Sequence, residues 1–92
     1  MSQFRLQIVT HQKTVFNESV DSLTMPGEDG SFGVWANHRP IIAVLKPGPV
    51  EMRIGGNTQR FTIGEGFFEM EGNRANLLVD KLTGLKVNDD EE

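Results

Sequence analysis

From Phe4 to Val79 the chain repeats with a period of two, and turn-forming clusters interrupt the repeat at short intervals. No other feature limits the fold as tightly. Phe4, Leu6 and Ile8 alternate with Arg5 and Gln7, and Val50, Met52 and Ile54 alternate with Glu51 and Arg53. Side chains along a strand point to opposite faces in turn, so each run reads as a strand with one dry face. Gly55-Gly56-Asn57 tolerates positive φ between Val50–Ile54 and Arg60–Ile63, which predicts a tight hairpin there. A second hairpin is expected where Phe67, Phe68 and Met70 precede Glu71-Gly72-Asn73 and alternation resumes at Ala75, Leu77 and Val79.

Further turn clusters at 26–30, 46–49 and 64–66 divide the rest into short strands around Val20–Met25, Phe32–Trp35 and Ile41–Leu45. A turn every ~8–12 residues is the spacing of a sandwich or barrel. No window of a dozen residues carries a helical stripe free of Gly or Pro, so the fold class is all-β. Lys81–Val87, with Leu82, Leu85 and Val87 around Gly84, is expected to lie on the domain as a last extended arm. Asp89, Asp90, Glu91 and Glu92 repel one another, so the domain is expected over 1–87 with 88–92 as a solvated acidic tail.

Charge narrows the function classes. The net charge is -4, and the four terminal acids account for it, because residues 1–88 hold nine acids against nine bases. A neutral body lacks the Lys/Arg field that carries most nucleic-acid affinity, and no stretch approaches the ~18 apolar residues of a membrane span. Neither nucleic acid nor direct membrane insertion is expected. With no cysteine, disulfides, thiolate catalysis and Cys-based zinc sites are excluded together. The first residues show no apolar signal core, which favours a cytosolic, matrix or stromal address.

Catalytic residues are scarce. His11 and His38 are the two imidazoles, there is no Tyr, and no serine sits in a nucleophile elbow. No catalytic residue, metal ligand or cofactor is therefore expected. Acid pairs such as Glu28-Asp29 lack the spacing of a cation loop, and Gly27, Gly30 and Gly33 lack the Lys-Ser/Thr and helix of a phosphate loop. Gly33, between Phe32 and Val34, is expected to need positive φ or a close backbone approach. Trp35 is read as covering the small core, and His38 as either a locally bonded turn residue or an interface donor.

Taken together, three motifs resemble a known family. Pro26-Gly27-Glu28-Asp29-Gly30-Ser31-Phe32-Gly33-Val34, then Asn37-His38-Arg39-Pro40-Ile41-Ile42 and Leu45-Lys46-Pro47-Gly48, resemble the signature of the epsilon subunit of F-type ATP synthases, called delta in mitochondria. Gly64-Glu65-Gly66-Phe67-Phe68-Glu69-Met70, with Asn73 and Leu77-Leu78-Val79-Asp80, resembles the later part of that signature. Ser31, Trp35-Ala36, Arg39 and Glu65 depart from the usual pattern.

The resemblance implies a flattened β-sandwich of about ten short, mostly antiparallel strands at the foot of a rotary central stalk. It implies two partners, the gamma subunit and the c-ring loops, and a non-catalytic rotor role in coupling proton flow to ATP synthesis. Carried over by position, gamma contacts fall on Thr10, His38, Arg39, Ile42 and Ala43. Ring contacts fall on Glu28, Asp29, Gly30, Ser31 and Phe32, although the turn alone reads as a plain connection. The implied address is peripheral, on the inner face of an energy-coupling membrane, most simply the cytoplasmic side of a bacterial plasma membrane. Thirteen residues follow Val79, interrupted by Gly84, so neither the helical inhibitory arm nor the ATP site of some relatives is expected. The rival classes are a small β-barrel ligand- or nucleic-acid-binding module and an all-β enzyme.

Overall fold

The computed structural model describes residues 2–86. Regular structure in this span is entirely strand: β1 (Phe4–Thr10), β2 (Lys13–Val20), β3 (Ser22–Gly27), β4 (Gly30–Trp35), β5 (Ile41–Leu45), β6 (Gly48–Ile54), β7 (Asn57–Ile63), β8 (Gly66–Glu71), β9 (Arg74–Val79) and β10 (Leu82–Thr83). They form one sheet in the order β10-β7-β6-β3-β5-β8-β9-β1-β2, with β4 on the other edge of β3. Pairing is antiparallel except between β1 and β9, which run parallel. The sheet curls over a shared core, so β10-β7-β6-β3-β4 and β5-β8-β9-β1-β2 act as two layers.

Strand β3 is where the layers part. One of its edges pairs with β6 over Ser22–Thr24 and then with β5 at Gly27. Pro26 sits at the changeover, where its carbonyl accepts the Lys46 amide at 3.0 Å and the Glu28 amide donates to the Val44 carbonyl at 2.9 Å. A proline has no N–H, so it belongs where no ladder donor is required. At the other end of β3, Asp21 turns the chain from one layer into the next. Its carboxylate accepts from Gln3 Nε2 at 3.0 Å and the Gly55 amide at 2.6 Å, and its own amide donates to the Arg53 carbonyl at 2.8 Å.

Four hairpins have two-residue loops: His11-Gln12, Glu28-Asp29, Gly55-Gly56 and Gly72-Asn73. The last two match the sequence expectation, with φ of 56° and 89° at the glycine pair and 61° and 62° at Gly72-Asn73. Such turns match the right-handed twist of the strands they join.

The expected dry faces are largely buried, with Ile54 half-buried at the end of β6. Phe4, Leu6, Ile8, Leu23, Met25, Val34, Val50, Met52, Phe68 and Leu77 are all within 1% of complete burial. Both layers contribute to one cluster, and shortening any of these side chains to Ala would cost about 2–5 kcal/mol.

The structure departs from the sequence reading at three places. β2 went unread as a strand because Val15 is an extra residue between the Val9–Thr14 and Ile8–Phe16 pairs, a bulge that shifts the phase of alternation. Glu18 then stands opposite Leu6 and is exposed, a charge on an edge strand that guards it against pairing with other chains. Trp35 does not cover the core; it is 59% exposed. Gly33 has no positive φ, and a Cβ there would meet the Leu23 carbonyl and Thr24 Oγ1 at an ordinary 3.6 Å. The arm is a two-residue strand, Leu82–Thr83, pairing with Ile63 and Thr62, and Leu85 packs against the core. Val87 and the acidic tail 88–92 lie outside the described residues.

Candidate functional site

Alternation predicts polar residues on the outward face of the layer β5-β8-β9-β1. Instead, Val44 is cross-strand from Phe67, Phe67 from Leu78, and Leu78 from Val9. Register partners project to the same side, so these four side chains form an unbroken apolar row across four strands on the outside of the domain. Phe67 is 54% and Val44 46% exposed, and Ile42, two residues along β5, is 79% exposed. The row floors an open groove of about 790 Å³ rimmed by charged and polar groups, among them His11, Glu28, Lys46, Glu65 and Asp80.

Two features of the rim are held by local backbone geometry. The β1–β2 loop places His11 and Gln12 at φ 51° and 63°, a left-handed conformation that non-glycine residues adopt only at a cost of about 1–2 kcal/mol each. The Glu28-Asp29 loop is pinned beside the row because the Glu28 amide donates to Val44.

The residues singled out from sequence do not converge on one spot. Of Thr10, His38, Arg39, Ile42 and Ala43, Ile42 alone stands on the exposed apolar face. Ala43 is half-buried and opposite the buried Phe68, hence turned toward the core. Thr10 lies at the far end of β1, paired with Val79 and Lys13, whereas His38 and Arg39 precede β5 at the opposite end of the layer. His38 Nδ1 lies 2.8 Å from the Arg39 carbonyl, and its ring meets Trp35 edge-on at 5.8 Å.

In the other set, Glu28, Asp29, Gly30 and Ser31 are exposed. Phe32 is not offered outward as expected. It is half-buried, packs on the core and meets Phe68 edge-on at 6.4 Å. The turn and the β5 residues Ile42, Ala43 and Val44 line one shallow hollow of about 440 Å³, so the two sets adjoin at β5.

Sequence reasoning missed the apolar row, though a signal for it exists. At Ile8-Val9, Ile41-Ile42, Val44-Leu45, Phe67-Phe68 and Leu77-Leu78, apolar residues occupy both phases of the alternation. A strand with one wet face has no need of the second apolar residue. Chemically the face offers desolvatable area with a charged rim. Among the described residues no three His, Asp or Glu side chains gather as metal ligands.

A family model described as the β-sandwich domain of the ATP synthase delta/epsilon chain matches residues 3–84. The chain belongs to that family. The ATP synthase epsilon chain of Rhodopseudomonas palustris (strain BisA53) is 35% identical over 85 residues, which is 92% of this chain and 63% of that one. The epsilon chain of Chlorobium limicola is 41% identical over 81 residues, 87% of this chain and 92% of that one. The chain thus spans about 63% of the length of the Rhodopseudomonas relative. Among solved structures, a chain of the Euglena gracilis mitochondrial ATP synthase, from an OSCP/F1/c-ring assembly, superposes with a TM-score of 0.86 at 23% identity, covering 99% of this chain and 59% of that one. A chain from the Tetrahymena thermophila mitochondrial ATP synthase central stalk and c-ring gives 0.74 at 18% identity, covering 88% and 66%. At such identity these superpositions establish the delta/epsilon fold, a β-sandwich of ten strands, as the fold of this chain.

Proposed function

We propose that the domain serves as the epsilon-type subunit of a rotary F-type ATP synthase, a non-catalytic rotor part. In this reading the outward face of β5-β8-β9-β1 seats the gamma subunit, and the exposed turn Glu28-Asp29-Gly30-Ser31 meets the loops of the c-ring. The observation that carries it is the in-register row Val44, Phe67, Leu78 and Val9 beside the exposed Ile42. Exposed apolar patches of this kind on small domains mark protein interfaces. The solved neighbours come from F1 and c-ring assemblies, which supports the same partners.

The mechanism is mechanical. A rotor part must hold two partners in a constant relation, and here both proposed contact surfaces are tied to β5. The ring-facing turn is locked to Val44 by a backbone hydrogen bond, and Val44 itself belongs to the gamma-facing row. Load entering at the turn reaches the row through one strand instead of a flexible linker. No helix of the described residues is long and apolar enough to cross a membrane, and this reading places the domain at a membrane surface through the ring loops.

The test uses purified gamma subunit of the same enzyme. Phe67→Ser combined with Ile42→Ser should leave the melting temperature within a few degrees of wild type, since both side chains are solvated in the free domain. Loss of two central apolar contacts should weaken gamma binding at least about tenfold. Undiminished binding by a folded double variant would exclude this face.

A further inference from the structure

Along β1 the outward positions run Val9, Gln7, Arg5, and along β9 they run Leu78, Asn76, Arg74. Along these two strands the face therefore passes from apolar to amide to cationic over four residues, about 13 Å of strand, while the neighbouring β8 carries Glu69 and Glu71 on the same side. At its far end Arg5 and Arg74 are register partners in the one parallel ladder of the sheet. Side chains so placed leave the sheet about 5 Å apart at their bases, and like charges there destabilise the fold unless an anion compensates.

Among the described residues neither arginine makes an ion pair. The ion pair found among the described residues joins Arg60 and Glu51, on the other layer. Glu71 is cross-strand from Arg74 but forms no ion pair with it, and Glu69 accepts from Asn76 at 3.1 Å. Arg5 is already oriented, because its Nε donates to Asn17 Oδ1 at 2.8 Å and its Nη2 to the Asn17 carbonyl at 3.1 Å. A guanidinium has five N–H donors, so three of its donors are left over. Both arginines line an open polar hollow of about 710 Å³ together with Gln7, Asn73 and Asn76.

We infer that Arg5 and Arg74 form a carboxylate receptor for an acidic stretch of the partner protein that seats on the apolar row. The inference rests on the docking face proposed above and adds its polarity. The apolar row supplies area that almost any greasy surface would satisfy. The arginine pair at one end of the face fixes which way round the partner lies. Continuity favours a protein carboxylate over a lipid or free anion: the pair adjoins the apolar row, so one segment about 13 Å long spans both, and a guanidinium fork holds a carboxylate bidentately. Exposed charges of this kind contribute more to orientation and association rate than to raw affinity, so their signature is salt dependence.

The experiment measures binding of the purified gamma subunit to three proteins: wild type, R5Q/R74Q and the F67S/I42S variant. R5Q/R74Q should bind about tenfold more weakly near 50 mM salt and within about twofold of wild type near 500 mM, where screening has already removed the charge contribution. F67S/I42S should be weakened at both salt concentrations. If the double arginine variant melts early, R74Q alone carries the same test, because Arg74 makes no side-chain hydrogen bond among the described residues. Failure of wild type to bind gamma at any salt would overturn the docking face itself. Loss of binding in F67S/I42S, with wild-type affinity and salt slope in R5Q/R74Q, would overturn the receptor alone. A sedimentation assay with phosphatidylglycerol-containing vesicles closes the lipid route. Vesicle binding by wild type that disappears in R5Q/R74Q would assign the pair to lipid headgroups and overturn the proposal.

Discussion

Asn37 and Asn73, 36 residues apart, grip each other across two turns: Asn73 Oδ1 accepts the Asn37 amide at 2.6 Å, and Asn73 Nδ2 donates to Asn37 Oδ1 at 3.0 Å. Both backbones are left-handed, at φ 66° and 62°, and the Asn73 carbonyl also accepts the Arg5 amide at 2.9 Å. One side chain thus ties the segment before β5 to the β8–β9 hairpin, while its backbone ties that hairpin to the start of β1. Asn73→Gly keeps the left-handed turn and removes the side-chain bonds, so it should cost about 1–2 kcal/mol. Asn73→Ala should cost about 1 kcal/mol more, because alanine resists that φ. Urea unfolding of the two variants measures both steps, and a glycine variant as stable as wild type would show that the clamp contributes nothing.

Glycine positions separate by what surrounds them. A Cβ at Gly66 would run into the Leu78 carbonyl and lie 2.8 Å from Val79 Cα, both backbone atoms of the paired strand β9. Gly66→Ala should therefore lose at least about 3 kcal/mol by prising β8 from β9. Gly33→Ala meets nothing closer than 3.6 Å and should be neutral or gain up to about 1 kcal/mol from reduced chain entropy. In a domain this size each kcal/mol moves the melting point by roughly 4–8 °C, so thermal melts resolve the contrast. A stable Gly66→Ala would refute the close packing.

The turn proposed to meet the c-ring divides into two halves. Glu28 and Asp29 are exposed at its tip, so Glu28→Ala and Asp29→Ala should change stability by less than about 0.5 kcal/mol. Phe32 packs on Phe68, and Phe32→Ala should cost about 2 kcal/mol, a half-buried share of a full aromatic deletion. If Phe32→Ala melts like wild type while weakening assembly with the ring, then the ring of Phe32 serves the partner and not the fold.

The hairpin His11-Gln12 carries two non-glycine residues in left-handed conformation where Asn-Gly is the favoured pair. Replacing them with Asn-Gly should stabilise the free domain by about 1 kcal/mol. Denaturant midpoints test this, and a destabilised variant would mean that His11 or Gln12 makes contacts that outweigh the backbone strain. Because the loop borders the apolar row, a stabilised variant that binds gamma less well would identify this strain as retained for docking.

Period-two alternation by itself determined which strands have one dry face, since side-chain direction along a strand is a local property that needs no partner. Phe4–Ile8, Val50–Ile54 and Ala75–Val79 are legible for that reason, as are the hairpins at Gly55-Gly56 and Gly72-Asn73, whose residues tolerate positive φ on their own. The family, too, was legible, because turn residues at set spacing are written in the chain. Tertiary structure alone decided the rest. The β2 bulge exists because Ile8 and Phe16 must both reach the core, and that demand comes from the pairing with β1. The apolar row exists only once Val9, Val44, Phe67 and Leu78, scattered over 70 positions, are brought into register across four strands. The pairing of Arg5 with Arg74 likewise depends on β1 lying parallel to β9. Strand order and register are non-local, set by how the whole sheet closes over its core, and no window of sequence contains them.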